Sequence, residues 1–376
     1  MQVDWLSPKN EILINPHYPK QVHEKIAEAL QSCFNLDSHV CVATSGSTAE
    51  ANTFPKMALL SKEGILVSAQ AVNKHLECSK IDRWIHPLPD FHVGGLGIWA
   101  RSFLSNSTVY AFREKWNPHA FWEFATQHEG TLTSLVPTQL FDLVTHRLSS
   151  PPSLRAIVVG GGRLNEFLYE EARALGWNVL PSYGLTECAS QVATASLSSL
   201  KKNHYPSLSI LSHVEVSVDR EMIALKSPSL LTFYLESSHQ SIKLVDPKIE
   251  GIFRTEDRGR IDNDNQALEV LGRDQNFFKI GGESVNFGNL EKILEQTKMH
   301  LQFSSDAVLI PYPDERLGYV IHLVAELDSR QVEYLTEGFN QAVLPYEKIR
   351  KVHRVKTFPR SPIGKLLRNA LLEILG

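Results

Sequence analysis

Residues 44–48 read TSGST, a run of hydroxyl side chains around Gly46, with Lys56 downstream. In such a loop Ser45, Ser47, Thr48 and the backbone N–H groups beside Gly46 can reach phosphate oxygens while a nearby lysine cancels charge. A polar surface turn is the plain alternative, since Ser, Thr and Gly cluster in loops. The spacing is not that of a Walker A motif, GxxxxGK[ST]. Further along, Gly160, Gly161 and Gly162 stand together, where missing side chains permit close backbone approach to a flat ring or a phosphate. A tight strand-to-helix turn accounts for them equally well. Residues 183–187 then read YGLTE. Thr186 could donate to a phosphate there, and Glu187, a hard oxygen ligand, could hold Mg2+ bridging a triphosphate. A Thr-Glu pair after Gly is as readily a helix cap.

Three isolated residues complete the chemistry. Asp257, in RTEDRGR at 254–260, could accept hydrogen bonds from a ribose, although a solvated salt-bridged turn is the commoner fate of such a cluster. His92, in LPDFHVGGLG at 88–97, sits among apolar and glycine residues, where a histidine is more often a satisfied core residue than a catalyst. Lys365 follows Gly364 in PRSPIGKLLR at 359–368 and opens a helix, where a cation gains nothing from the helix dipole. That placement argues for a functional lysine.

These residues need an α/β frame to hold them. Val22, Ile26, Ala29 and Leu30 fall on one face of a helix over 20–34, and an apolar strand at 40–43 runs into TSGST. A buried strand over 155–159 ends in the glycine triplet, followed by a helix at 165–175 and a strand at 178–180. This is βαβ syntax, and open α/β sheets bind ligands outside the carboxyl ends of their strands. Residues 197–212 are polar enough to be a long loop. Beyond them, HVEVSVD, EMIALKS, IKLVD and ALEVLG alternate as in a small antiparallel sheet or barrel. After 272–276 the pattern is again that of a compact α/β unit: a helix near 290, strands AVLIPY and YVIHLVAEL, and helices at 332–339 and 365–375. The expected division is a large domain over 1–272 and a small one over 273–376.

Composition bounds the partners. The 376 residues leave room for two domains of about 150 each. Basic residues number 38 against 42 acidic, for a net charge of −4, and no Lys/Arg run suggests a nucleic-acid track. Cys33, Cys41, Cys78 and Cys188 are scattered, with neither CxxC nor zinc spacing, which fits reduced thiols in a cytoplasm. No signal peptide opens the chain, and nowhere do about 18 apolar residues run together. A soluble cytoplasmic protein without membrane insertion is expected.

Taken in order, TSGST, LPxFHxxG, GGG, YGLTE, TxDRG, GRxxN with GGE, and a terminal PRSPxGK resemble the adenylate-forming acyl/aryl-CoA ligase superfamily over nearly the whole chain. Within it, LPDFHVGGLGIWAR (88–101), SLVPTQLFDLV (134–144) and YGLTECAS (183–190) look most like the branch that activates o-succinylbenzoate for menaquinone synthesis. The resemblance implies an α/β fold: a large N-terminal domain with a parallel sheet plus a small β subdomain, and a small mobile C-terminal α/β lid. It implies an AMP-forming acid–thiol ligase acting on a small carboxylic acid, with ATP, Mg2+ and coenzyme A. By motif, Ser45, Gly46, Ser47 and Thr48, with Lys56, would bind the pyrophosphate end of ATP. Gly160, Gly161, Gly162 and Tyr183 would line adenine, and Asp257 and Arg273 would hold the ribose. Thr186 would contact the α-phosphate, Glu187 the Mg2+, and Lys365 would bridge the attacking carboxylate and the α-phosphate. His92 would lie near the acyl pocket and thiol entry, and Arg101 would meet a second carboxylate on the acid.

Three features depart from that pattern. Ala49 replaces the second glycine of TSGSTGxPK and Lys56 lies eight residues beyond Thr48, so the phosphate loop is altered. Much of the family's N-terminal subdomain has no counterpart before residue 44, which should expose apolar surface that a homodimer contact could cover. Gln275 stands where the domain hinge commonly carries Asp or Lys, and a hinge needs conformational freedom rather than charge. A CoA ligase for another aromatic or fatty acid fits the same residues, and so does a non-catalytic descendant that binds nucleotide or acyl-CoA.

Overall fold

A run of parallel strands carries the ends from which a ligand site would be built. The structure is a computed structural model that describes residues 3–16, 18–32, 36–44, 54–202, 204–238, 241–262, 264, 266–273, 277–280, 283–303, 305–314, 316–326, 329–360 and 366–375. Ser45, Gly46, Ser47, Thr48, Ala49, Gln275 and Lys365 lie outside the described residues.

Strands Thr108–Ala111, Arg83–His86, Leu132–Leu135, Ala156–Val159 and Val179–Leu185 are parallel neighbours in that spatial order. Ala156–Val159 is apolar throughout because both of its faces are covered. Successive side chains point to opposite faces. Ile157 and Val159 accordingly pack with Phe121, Leu140 and Leu168 from helices Pro118–Gln127, Pro137–Thr145 and Glu166–Ala174. Ala156 and Val158 face Val72 and Ile98 from helices Lys62–His75 and Val93–Ser105. Local chemistry starts these helices. Ser61 Oγ accepts from Gly64 N, Asn117 Oδ1 from Ala120 N and Asn165 Oδ1 from Leu168 N, and proline opens two of them.

Beyond Val179–Leu185 the sheet continues through Ser190–Thr194, Leu208–Ile210, Ala267–Arg273, Phe253–Asp262, Met222–Lys226 and Glu215–Asp219, making 11 strands among the described residues. The stretch 197–212, read as a long loop, holds a 3-10 turn, Leu197–Lys201, and the strand Leu208–Ile210. Ser209 pairs with Thr194 on one side and Ala267 on the other. Three residues are too few for a period to show; the two neighbouring strands make this segment a strand. The alternating segments beyond 212 are strands, divided between two sheets. Phe233–Ser238 and Ser241–Val245 join Glu11–Leu13, His39–Ala43 and Met57–Ser61 in a five-stranded sheet.

The chain divides into two compact units, Met1–Thr255 with Gly259–Val270, and Glu256–Arg258 with Leu271–Gly376. In the second, strands Glu283–Asn286, Phe277–Ile280, Gly318–Glu326 and Ala307–Asp314 are sheet neighbours, and Ile349–Val355 pairs with Gly318–Glu326. Phe287, Leu290 and Leu294 from helix Phe287–His300 close its core with Val332, Leu335 and Phe339 from helix Ser329–Ala342. This is an α/β protein with a large sheet-rich N-terminal part and a smaller C-terminal unit. Among the described residues no helix is long and apolar enough to cross a membrane.

Candidate active site

His92, Val136 and Gly160 follow three adjacent parallel strands, Arg83–His86, Leu132–Leu135 and Ala156–Val159. The strands are parallel, so the segments leave the sheet at one edge. Of the glycine triplet, Gly161 alone has a left-handed backbone, φ +75°, and there glycine serves the turn itself. A Cβ on Gly160 would stand 3.5 Å from Ser182 O and one on Gly162 3.5 Å from Pro137 Cγ, ordinary contacts both. Packing therefore does not require glycine at these two positions.

Strand Val179–Leu185 runs further than its sequence suggests and carries Tyr183 within it. The pairing slips between Tyr183 and Gly184, where a Cβ on Gly184 would stand 1.9 Å from Ser190 O. A short turn, Thr186–Cys188, follows. Leu185 precedes it with no side-chain capping bond, so the Thr-Glu pair is not the helix cap that residue type alone allowed. Instead Glu187 Oε1 accepts a 2.7 Å hydrogen bond from Tyr234 Oη, and its carbonyl accepts one from Leu231 N at 2.8 Å.

The TSGST segment leaves strand His39–Ala43, and the chain returns antiparallel as Met57–Ser61, with Ala43 opposite Met57. Thr44 N donates to Lys56 O at 3.0 Å, extending the pairing beyond Ala43 and Met57. Lys56 Nζ lies 2.7 Å from Glu236 Oε1 and 3.6 Å from the centroid of the Tyr234 ring.

His92 immediately precedes helix Val93–Ser105, half-buried, its ring 4.8 Å from that of Phe91. It is not the enclosed core residue that its apolar surroundings suggested. The neighbouring Asp90 fastens this segment: Trp99 Nε1 donates to it at 2.8 Å, Arg113 Nη1 lies at 2.8 Å and His86 Nε2 at 2.9 Å. Burial alone would raise the Asp90 carboxyl, but these partners hold it well below the usual carboxylate range. On the same helix, Arg101 is only 2% exposed. Its guanidinium lies 5.2 Å from the Trp84 ring and Nη1 is 3.5 Å from Ser134 Oγ, while Nε has no hydrogen-bond partner among the described residues. No carboxylate among the described residues pairs with it, and burial pulls its pKa down to about 10.

In the second unit, Asp257 lies within strand Phe253–Asp262 rather than in a turn, and its Oδ1 is 3.6 Å from Arg273 Nε. Arg273 ends strand Ala267–Arg273 and is exposed. The last helix is Arg368–Leu375, starting beyond Lys365. Sequence reading did not single out Tyr234, Asp90, Trp84 or Ser134. Asp90 stood inside a quoted motif, but nothing marked its carboxylate as a hub. Tyr234 is 47 residues from Glu187 and lies in none of the alternating segments that the sequence shows.

Residues 21–222 match the family model of AMP-binding enzymes. The chain is 30% identical over 314 residues to the 2-succinylbenzoate–CoA ligase of Escherichia coli K12, an alignment covering 83% of this chain and 64% of that one. It is 27% identical over 344 residues to the enzyme of the same description from Staphylococcus epidermidis, covering 89% and 70%. The solved o-succinylbenzoate CoA synthetase of Bacillus subtilis, in complex with the acyl-adenylate intermediate OSB-AMP, superposes with a TM-score of 0.76 at 25% identity, covering 96% of this chain and 78% of that one. The family match takes in more than half of the residues, and the chain belongs to the AMP-binding enzymes.

Proposed function

We propose that the chain is an ATP-dependent carboxylate–CoA ligase that joins an acid to AMP with loss of pyrophosphate, then passes the acyl group to the thiol of coenzyme A. The acid is o-succinylbenzoate. The observation that carries this reading is Arg101, a guanidinium 2% exposed with no carboxylate partner among the described residues. A buried charge is retained only with compensation. A dicarboxylic acid brings a second anion to supply it while the first carboxylate reacts. The names of the relatives point to the same acid.

The chemistry places particular demands on the site. Attack of a carboxylate on the α-phosphate brings two anions together, so cations and donors must meet the charge gathering on the phosphorus oxygens. Lys365 bridges the two reactants and Thr186 donates to the α-phosphate. The Glu187 carboxylate, beside the Thr186 hydroxyl, suits Mg2+, which is ordinarily held by one or two carboxylates plus phosphate oxygens. Mg2+ held there would supply positive charge against the leaving pyrophosphate. Ser45, Gly46, Ser47 and Thr48 cradle that end, Gly160, Gly161, Gly162 and Tyr183 line adenine, and Asp257 with Arg273 holds the ribose. His92 flanks the acyl pocket. Residues 273–376, which carry Lys365, act as a lid that swings between the half-reactions and admits coenzyme A. No covalent enzyme intermediate is needed. The working assembly is a homodimer in the cytoplasm; light scattering then reads about twice 42.3 kDa.

The test mixes the protein, Mg-ATP and o-succinylbenzoate without coenzyme A and looks for the adenylate by mass spectrometry. An adenylate of that acid is expected. Adenylates formed only from benzoate or fatty acids would change the substrate. No adenylate and no ATP–pyrophosphate exchange with any acid of the panel would leave a binding protein and end the enzymatic reading.

A further inference from the structure

Lys56 and Tyr234 have no part in the reading above as it stands, yet Tyr234 stands against Glu187 and Lys56 against Tyr234. Tyr234 lies on strand Phe233–Ser238, is 6% exposed, and donates its hydroxyl to Glu187 Oε1 at 2.7 Å. Just before that strand, Leu231 N donates to the Glu187 carbonyl, so one segment grips Glu187 by side chain and main chain together. Lys56 Nζ sits 3.6 Å from the Tyr234 ring centroid, within cation–π range, and is held there by Glu236, two residues on and on the same side of the strand. The register explains why the lysine arrives there. Leu235 pairs with Met57, and the next step of the antiparallel ladder brings Glu236 opposite Lys56.

We propose that Tyr234, pinned by Lys56, is a positioning residue for the metal-binding carboxylate: it engages one oxygen of Glu187 and fixes the direction in which the other meets Mg2+. This deepens the proposed ligase function and rests on it. A carboxylate on a free torsion must be ordered when the ion arrives, and one already hydrogen-bonded is not. The assignment also gives Lys56 a task that its displacement from the TSGST loop would otherwise deny it.

The test is binding of Mn2+ in the presence of ATP, followed by electron paramagnetic resonance, beside the Mg2+ dependence of adenylate formation. Tyr234→Phe removes only the hydroxyl and keeps the ring under Lys56. It should raise the Mn2+ concentration at half-saturation about 10- to 100-fold, the usual cost of losing a partner of a metal ligand. Its kcat at saturating Mg2+ should return to within about twofold of the wild type, and metal-free ATP binding should not move. Lys56→Met should shift the metal dependence in the same direction, and Lys56→Arg should restore it. Unchanged half-saturation in Tyr234→Phe overturns the proposal. So does a Lys56→Met protein that weakens metal-free ATP binding while its metal dependence stays put, because the lysine would then be a phosphate ligand. A wild-type chain that takes up no Mn2+ with ATP overturns the ligase reading as well, whereas failure confined to the variants leaves that reading intact.

Discussion

Arg101 is the residue at which stability and function pull in opposite directions. A guanidinium enclosed by Trp84, Ser134 and the turn at Gly97, with Nε unpartnered, destabilises the fold. Replacing it with an apolar chain of similar length should therefore help folding: Arg101→Met is expected to raise the thermal midpoint while lowering preference for a dicarboxylic acid. For Arg101→Ala, kcat/KM for o-succinylbenzoate relative to benzoate should fall about 10- to 100-fold, the scale of a lost hydrogen bond to a charged group. An unchanged ratio would remove Arg101 from the acid site. His213 makes a second residue-scale case. Both its ring nitrogens are buried without a hydrogen-bond partner among the described residues, and burial lowers its pKa to about 4. The unfolded chain takes up a proton near pH 6.5 and the folded one resists it until about pH 4. Its contribution is thus complete above pH 6.5 and fades as pH falls toward 4. At pH 5 the loss is on the order of 2 kcal/mol. His213→Leu should lose less denaturant resistance between pH 7.5 and pH 5 than the wild type, and equal losses would refute the assignment.

Among the elements, the join between Val179–Leu185 and Thr186–Cys188 has the least freedom. Gly184→Ala would drive a Cβ to 1.9 Å from Ser190 O, and neither backbone can yield without moving Tyr183 and Thr186. A loss of about 1–3 kcal/mol is expected, with weaker ATP binding, read from urea midpoints and equilibrium dialysis. A variant as stable and as tight-binding as the wild type would mean that the bulge is not rigid. Elements also differ in how far sequence reveals them. Ala156–Val159 was legible because burial on both faces leaves an unbroken apolar run, and glycine marks its end. Leu208–Ile210 was not, because its three residues are a strand only by virtue of Thr194 and Ala267 on either side. The antiparallel pair His39–Ala43 and Met57–Ser61 was half legible: the first strand shows in its apolar run, the second does not.

At the scale of the whole molecule, chemistry assigned to Lys365 on one unit and to Thr186 and Glu187 on the other must be separable in time. Lys365→Ala should slow adenylation by about 10²–10³, the scale of losing one charge-stabilising donor. Thioester formation from a preformed adenylate should change far less. Equal loss in both half-reactions, measured by rapid quench, would withdraw the role of Lys365 in the first step. The order of motifs and the α/β class were fixed by the amino-acid sequence, because short-range periodicity records which face of an element is buried and glycine and proline record where it stops. What each of these side chains meets was decided by the tertiary structure alone. Tyr234 on Glu187, Glu236 on Lys56, Asp90 between Trp99, Arg113 and His86, and Arg101 left without a carboxylate among the described residues all depend on which strand lies beside which. A pattern of period 2 or 3.6 states that a face is covered; it does not name the residue that covers it.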